Sequence, residues 1–290
     1  AADASHGKTS FTTWFCERIL CNNRHLAVTY VPLADSSPQG LAARRLAAAA
    51  EVNSNAISYF RPRDEEMAAT IAAQDAVRRE YGERFYIAPA GKAWVEIEST
   101  IRRAVLLQKD RGQTPGVVVI DYAQVVKVAG ENRFSAIAIL AENAEALAKE
   151  LDVHVILTSQ LNGEAGKARA KPGENRPPTI VDIWGGKEQE WYATNVVVLV
   201  RGERITPAPH CAPNGIKTGQ GYPDNLKGAF MVRLHGLKGR HQSTGLPGEL
   251  HYLGALCRYA TPMTSLITDW NNAQSAGPTQ NWRTPPRIAP

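Results

Sequence analysis

The feature that most constrains the fold lies at the first residues, which read Ala2-Asp3-Ala4-Ser5-His6-Gly7-Lys8-Thr9. This run matches a phosphate-binding loop, G-x-x-x-x-G-K-[ST], except that alanine stands where the first glycine is usual. In such a loop, backbone N–H groups surround the phosphates, the lysine neutralises them and the last hydroxyl ligates Mg²⁺. The motif predicts nucleotide binding by a short set of residues: Ser5, His6, Gly7, Lys8, Thr9 and Ser10.

The residues after this loop favour a helix, because an apolar run with Phe11, Trp14 and Ile19 follows at once. The loop would then lie at a helix N-terminus, where the helix dipole also favours anions. A phosphate-binding loop normally follows a buried strand, and none precedes this one. We therefore expect the first strand of the domain to lie upstream of residue 1.

Composition indicates a globular domain, since 43% of the 290 residues are hydrophobic and 21% are charged. The net charge of +5 permits a polyanionic partner without requiring one. The four cysteines lack zinc-ligand spacing, which suits reduced thiols in a cytoplasmic protein. No apolar run approaches the roughly 18 residues that span a bilayer, so we expect no membrane partner.

Strand-like and helix-like segments alternate along the chain. The predicted strands are residues 26–33, 84–88, 116–121, 153–159, 196–200, 230–234 and 249–253. The predicted helices are residues 38–52, 64–81, 94–109 and 134–151. This alternation predicts an α/β fold with a mostly parallel twisted sheet flanked by helices, and a β-hairpin region near the C-terminus. Ligands of such sheets bind at the carboxyl ends of the strands.

Two polar residues follow predicted strands and are candidates for the nucleotide site. Asp121 ends the apolar strand 116–121, where it can support Mg²⁺ opposite Thr9. The alternative is a solvated carboxylate at a strand end, which the upstream loop makes less favoured. Gln160 follows the next strand, where a neutral amide can sense a γ-phosphate. Taken alone, Gln160 is better explained as an ordinary loop residue.

Lys238 and Arg240 lie in a glycine-rich stretch, residues 236–248, between two predicted strands. Cations near a hairpin tip can reach the phosphates of a neighbouring subunit and stabilise transition-state charge. Taken alone, these two residues are better explained as an ordinary basic turn.

In combination, the motifs resemble the C-terminal RecA-like motor domain of the DnaB-type replicative DNA helicases. The resemblance rests on Ala4-Ser5-His6-Gly7-Lys8-Thr9, Ile120-Asp121-Tyr122-Ala123-Gln124, Leu147-Ala148-Lys149-Glu150-Leu151 with Ser159-Gln160-Leu161-Asn162, and Lys238-Gly239-Arg240 through Thr244-Gly245.

This resemblance implies a P-loop ATPase with ATP and Mg²⁺ as cofactors, Thr9 and Asp121 at the metal and Gln160 at the γ-phosphate. Lys238 and Arg240 would act in the neighbouring subunit's site. It also implies a homo-oligomer, expected to be a hexameric ring on single-stranded DNA, with primase or a helicase loader as partners. The setting would be the cytoplasm, in bacterial or phage replication.

The sequence departs from the family at the residue that polarises the attacking water. The family has glutamate in an S-L-E-M stretch, and this chain reads Pro32-Leu33-Ala34-Asp35. Ala34 has no base, although a register slip would let Asp35 substitute as a catalytic residue. Losing a general base typically costs about 10²–10⁴ in rate.

The DNA-contacting loop also departs from the family, whose arginine is absent from Asp182-Ile183-Trp184-Gly185-Gly186-Lys187. We expect Lys187 to contact phosphate and Trp184 to stack on a base, with packing as an equally favoured role for Trp184. The preceding loop is basic and rich in glycine and proline, which suits a phosphate backbone; its cations are Lys167, Arg169, Lys171 and Arg176.

We expect a motor domain over residues 1–260, a surface insertion at 202–227 and a Pro/Asn/Gln-rich tail at 261–290. Two other functions remain open from the sequence. One is a recombinase-like ATPase of the RecA class, and the other is a nucleotide-binding assembly subunit with weak hydrolysis.

Overall fold

The computed structural model describes residues 7–33, 37–58, 62–162, 178–204, 229–239, 248–253 and 258–260. The helices are α1 (Lys8–Asn22), α2 (Pro38–Ala50), α3 (Ser54–Ser58), α4 (Asp64–Tyr81), α5 (Trp94–Asp110), α6 (Arg133–Leu151) and α7 (Gly186–Tyr192). The strands are β1 (Leu26–Pro32), β2 (Phe85–Ile87), β3 (Thr114–Asp121), β4 (His154–Leu157), β5 (Asn195–Arg204), β6 (Ala229–Gly239), β7 (Gly248–Leu253) and β8 (Arg258–Ala260).

The first four strands form a parallel sheet in the order β2-β1-β3-β4. Its two faces bury different residues, because successive side chains of a strand point in opposite directions. One face, which includes Val31 and Ile120, packs against α5 and α6. The other face, which includes Tyr30 and Val119, packs against α1 and α2. Burial on both faces explains why the strands read as continuous apolar runs.

A bulge fixes the register between the two central strands. Ala27 pairs with Pro115 and Val28 pairs with Val117, so that Gly116 is an extra residue of β3. Proline cannot donate to the ladder, and the Leu26 side chain would lie only 3.2 Å from a β-carbon at Gly116. Beyond the bulge the pairing is regular and ends with Pro32 opposite Asp121.

The last four strands form a second, antiparallel sheet in the order β5-β6-β7-β8. Leu199 and Val232 of this sheet pack against Phe11 and Trp14 of α1. Among the described strands, the antiparallel sheet is as large as the parallel one, so the predicted hairpin region is larger than the sequence indicated.

The predicted elements are confirmed in type and order, and the largest difference in length is in the second sheet. β6 continues through the glycines at positions 236 and 239, which the sequence pattern placed in a hairpin stretch. Gly236 pairs with Val197 and Lys238 with Val196, so the strand passes this point through a bulge. Of the predicted insertion, residues 202–204 belong to β5; residues 205–227 and the tail lie outside the described residues.

None of the described helices is long and apolar enough to cross a membrane.

Arg84 connects α1, α4 and the start of β1. Its guanidinium donates to four backbone carbonyls at 2.7–3.2 Å, those of Leu20, Asn23, Leu26 and Glu80. The last turn of α1 contains no basic residue of its own. Arg84 therefore supplies the cation that favours the C-terminal carbonyls of that helix.

We expect Arg84→Ala to lower the free energy of unfolding by about 2–3 kcal/mol, because hydrogen bonds from a charged donor are lost at partly buried carbonyls. Urea denaturation followed by circular dichroism measures this change. Arg103→Ala is the control: that arginine is exposed on α5, and its loss should stay within about 0.5 kcal/mol. Equal stability of the two variants would contradict the proposed role of Arg84.

Candidate nucleotide site

The described end of the phosphate-binding loop has the geometry of a helix start. Gly7 adopts a left-handed conformation with φ 80° and directly precedes α1. Its carbonyl accepts the first helical hydrogen bond from the Phe11 N–H at 2.8 Å. Lys8, Thr9 and Ser10 form the first turn, and the dipole at the start of a helix favours an anion. Ser5 and His6 lie outside the described residues.

Asp121 lies beside this helix start, as the sequence predicted. The Thr9 hydroxyl donates to Oδ2 of Asp121 at 2.7 Å, across 112 positions of sequence. The carboxylate is 5% exposed at the carboxyl end of β3. The hydroxyl and carboxylate oxygens that meet here are the hard ligands that Mg²⁺ prefers, so the residues present fit this ion. Elsewhere in the described residues, no cluster of three or more His, Cys, Asp or Glu side chains suits a metal.

Two further hydroxyls hold the same carboxylate. Tyr30 donates to Oδ2 at 2.8 Å, and Thr158 donates to Oδ1 at 2.5 Å. Burial, and then the neighbouring Asp121 charge, raise the pKa of the Tyr30 hydroxyl well above its usual range. The phenol therefore stays protonated and remains a donor.

The sequence interpretation missed Tyr30 and Thr158. The available signal for Tyr30 was a phenol inside the mostly apolar run 26–33. Thr158 directly precedes Ser159-Gln160, so it lies at the strand end that the sequence had singled out.

The sensor candidate Gln160 is held by Gln124, another residue that the sequence interpretation assigned no role. Gln124 is 4% exposed; its Nε2 donates to Ser159 Oγ at 2.6 Å and its Oε1 accepts from the Gln160 N–H at 3.2 Å. Both bonds cross from the segment after β3 to the segment after β4. They fix the backbone from which the Gln160 side chain projects.

Trp184 and Lys187 are the described members of the predicted DNA-binding set, and Trp184 is bonded to the Gln160 segment. The backbone N–H of Trp184 donates to the backbone carbonyl of Gln160 at 3.1 Å, and Leu161 forms an antiparallel bridge with Ile183. Trp184 is half-buried, whereas Lys187 is exposed on α7. The four predicted loop cations, Lys167, Arg169, Lys171 and Arg176, lie outside the described residues.

Lys238 lies within β6. Its ammonium donates to the Glu190 carbonyl in α7. A role in the neighbouring subunit's site therefore stays a prediction, and Arg240 lies outside the described residues. Ala34, which stands at the family's glutamate position, and its candidate substitute Asp35 also lie outside the described residues.

A cleft of about 630 Å³ lies next to Gln124, and its lining includes the exposed Lys92 and Lys127. The Lys127 N–H donates to the Lys92 carbonyl at 2.7 Å, and the Lys127 carbonyl accepts from Trp94 at 2.9 Å. These bonds keep the two lysine backbones together. The cleft thus carries two cations near Gln124, which holds the sensor candidate Gln160.

The fold and the Thr9–Asp121 contact are those of a P-loop ATPase domain, and comparison with known proteins gives the family. The model of the DnaB-like helicase C-terminal domain matches residues 1–219, and the chain belongs to that family. A curated relative is the replicative DNA helicase DnaB of Nostoc sp. strain PCC 7120, 34% identical over 88 residues. That alignment covers 30% of this chain and only 9% of the relative's length.

Two solved structures share the fold. The ATPase domain of G40P has a TM-score of 0.67 at 20% identity, with 90% of this chain and 82% of that chain covered. The structure of a DnaB-like replicative helicase and its interactions with primase has a TM-score of 0.67 at 18% identity, with 90% and 56% covered. The predicted RecA-like α/β fold is confirmed.

We expect Gln124→Leu to reduce the free energy of unfolding by about 2 kcal/mol, since it leaves the buried Ser159 hydroxyl and the Gln160 N–H without that partner. Hydrogen exchange at the Gln160 amide should also become faster than in the wild type. Denaturation and amide exchange measured by NMR or mass spectrometry check both effects.

Gln113→Leu is a matched control, because the buried Oε1 of Gln113 accepts no hydrogen bond within the described part of the chain. Gln113→Leu should change neither the free energy of unfolding nor the rate of hydrogen exchange at the Gln160 amide. Unchanged exchange in Gln124→Leu would contradict the holding role of Gln124.

Proposed function

We propose that this chain is the ATP-driven motor portion of a replicative DNA helicase, which translocates on single-stranded DNA as a hexameric ring. The observation that carries the proposal is the Thr9–Asp121 hydrogen bond, which joins the start of α1 to the carboxyl end of β3. Family membership and the RecA-like fold support the same conclusion.

Each residue of the site has a distinct role in this proposal. Lys8 and the N–H groups at the start of α1 bind the nucleotide phosphates. Thr9 and Asp121 hold Mg²⁺, which would neutralise charge on the β- and γ-phosphates when bound. Gln160 contacts the γ-phosphate. Its backbone hydrogen bond with Trp184 would transmit a shift of Gln160, on loss of that phosphate, to the segment before α7.

DNA binding in this proposal uses several cations and one aromatic ring. Lys187 and the cations at 167, 169, 171 and 176 contact phosphates, and Trp184 stacks on a base. Lys92 and Lys127 extend this positive surface along the cleft. Primase or a helicase loader would then be partners of the assembled ring. We also propose that this ring acts in the cytoplasm, where bacterial and phage DNA is replicated.

Ala34 favours a second candidate function, a subunit that binds ATP to hold an assembly together with little turnover. In the stretch 32–35, Asp35 is the one residue with a carboxylate that could replace the absent base. A recombinase-like ATPase is a third candidate, and electron microscopy separates it because it would form open filaments rather than rings.

We expect single-stranded DNA to stimulate steady-state ATP hydrolysis by the wild type, and Lys8→Ala to reduce the rate by about 100-fold or more, the scale of losing a group that stabilises phosphate charge. Arg240→Ala should lower the rate only where subunits assemble, because the finger acts on a neighbour. A coupled phosphate-release assay measures the rates.

Lys109→Ala is the control for this assay. Lys109 lies exposed in the last turn of α5, and its replacement should leave the rate unchanged. Tight ATP binding without turnover in the wild type would contradict the motor and support the assembly subunit. Turnover that depends on Asp35, tested by Asp35→Asn, would identify the replacement base.

Replacing Lys92 and Lys127 together by alanine should weaken binding to oligo-dT and reduce the slope of log K against log salt by about 1 to 1.5, since each lost phosphate contact to a single strand contributes about 0.7. Fluorescence anisotropy across a salt series measures this slope. An unchanged slope, equal to that of Lys109→Ala, would remove the cleft from the DNA path.

A further inference from the structure

Tyr30 stands out because it is a phenol in the middle of a buried strand whose hydroxyl reaches the metal-supporting carboxylate. The residue is fully buried on the α1 face of the parallel sheet. Its ring stacks on Phe85 with centroids 6.0 Å apart, and its hydroxyl lies 2.8 Å from Asp121 Oδ2. Nothing in the nucleotide chemistry described above assigns a task to this group.

The hydroxyl of Tyr30 also lies 2.9 Å from that of Thr12. Thr12 in turn lies within 3.1 Å of the carbonyls of Lys8 and Thr9 in the first turn of α1. Since the phenolic proton is donated to Asp121, Tyr30 can only accept in its contact with Thr12. The hydrogen bonds thus run from the carboxylate through Tyr30 to Thr12, which is itself a residue of α1. The single Thr12 proton is used on Tyr30, so the nearby carbonyls of Lys8 and Thr9 are only in contact with that hydroxyl.

The Asp121 carboxylate needs donors that fix its orientation. A strand-end aspartate can rotate about χ2, whereas its two oxygens need fixed directions to support a metal opposite Thr9. Thr9 belongs to the nucleotide site itself, and its hydroxyl is the predicted metal ligand. Thr158 holds the other oxygen. Tyr30 is therefore the donor that orients Oδ2 from the rigid core rather than from the binding loop.

We propose that Tyr30 is a positioning residue that orients Asp121 for Mg²⁺ and couples this orientation to α1 through Thr12. The inference rests on the proposed function, because it requires a nucleotide–Mg²⁺ site between Thr9 and Asp121. The opposing explanation is that the hydroxyl only satisfies its own hydrogen bonding inside the core.

The test is Mg²⁺-dependent binding of a fluorescent ATP analogue to the wild type and to Tyr30→Phe. The variant keeps the ring and its packing on Phe85. We expect the Mg²⁺ concentration for half-maximal binding to rise about five-fold, the change expected for losing one hydrogen bond that favours the metal-bound arrangement. Binding measured in EDTA should be unchanged, because the phosphate contacts of Lys8 and the helix start remain.

Tyr86→Phe is the matched control, since it removes a phenolic hydroxyl from the neighbouring strand β2 and should leave the Mg²⁺ midpoint unchanged. Thr12→Val is a second variant, which removes the coupling to α1 and should raise the midpoint in the same direction. It keeps the inference testable if Tyr30→Phe fails to fold, and an unchanged midpoint would then overturn it.

Two further outcomes would overturn the inference in recognisable ways. An unchanged midpoint in folded Tyr30→Phe, or equal loss of binding with and without Mg²⁺, would show a purely structural hydroxyl. Absence of nucleotide binding by the wild type would overturn the proposed function as well, and it is visible before any variant is examined.

Discussion

The structure depends on one buried charge, the carboxylate of Asp121, which is held by three hydroxyl groups from three different elements. A carboxylate that is 5% exposed is tolerated only where donors replace the water that it has lost. Here the donors come from α1, β1 and the segment after β4, so that satisfying the charge also brings these elements together. Folding and the candidate nucleotide site therefore share the same contacts.

The sequence predicted the parts of the fold that follow from local periodicity and from burial on both sheet faces. The elements 64–81 and 94–109 were correctly placed because an acidic first turn and an apolar stripe mark a helix. The strand 116–121 and its terminal aspartate were predicted because a buried parallel strand has a distinctive apolar run. The closeness of Thr9 and Asp121 followed from strand-end geometry, although the chemical roles of both residues stay predictions.

What the sequence left out depends on contacts between distant residues. Tyr30 and Gln124 look like an ordinary strand aromatic and an ordinary loop amide until the partners at 121 and 159 are known. The extension of β6 through Gly236 follows from pairing with β5, which no local propensity reveals. Arg84 reads as a surface cation, yet it donates to four backbone carbonyls.

The bulge at Gly116 has a consequence for the site at the other end of the strand. Because side chains alternate, every residue beyond the bulge is assigned to a face by that one extra position. Asp121 shares a face with Tyr30 and α1 only because Gly116 has been inserted five positions earlier. If the same residues paired without the bulge, Ile120 would lie opposite Pro32 and the Asp121 carboxylate would turn towards α5 and α6. The bulge at Pro115-Gly116 thus decides, from outside the candidate site, that Asp121 lies on the face where it meets Thr9.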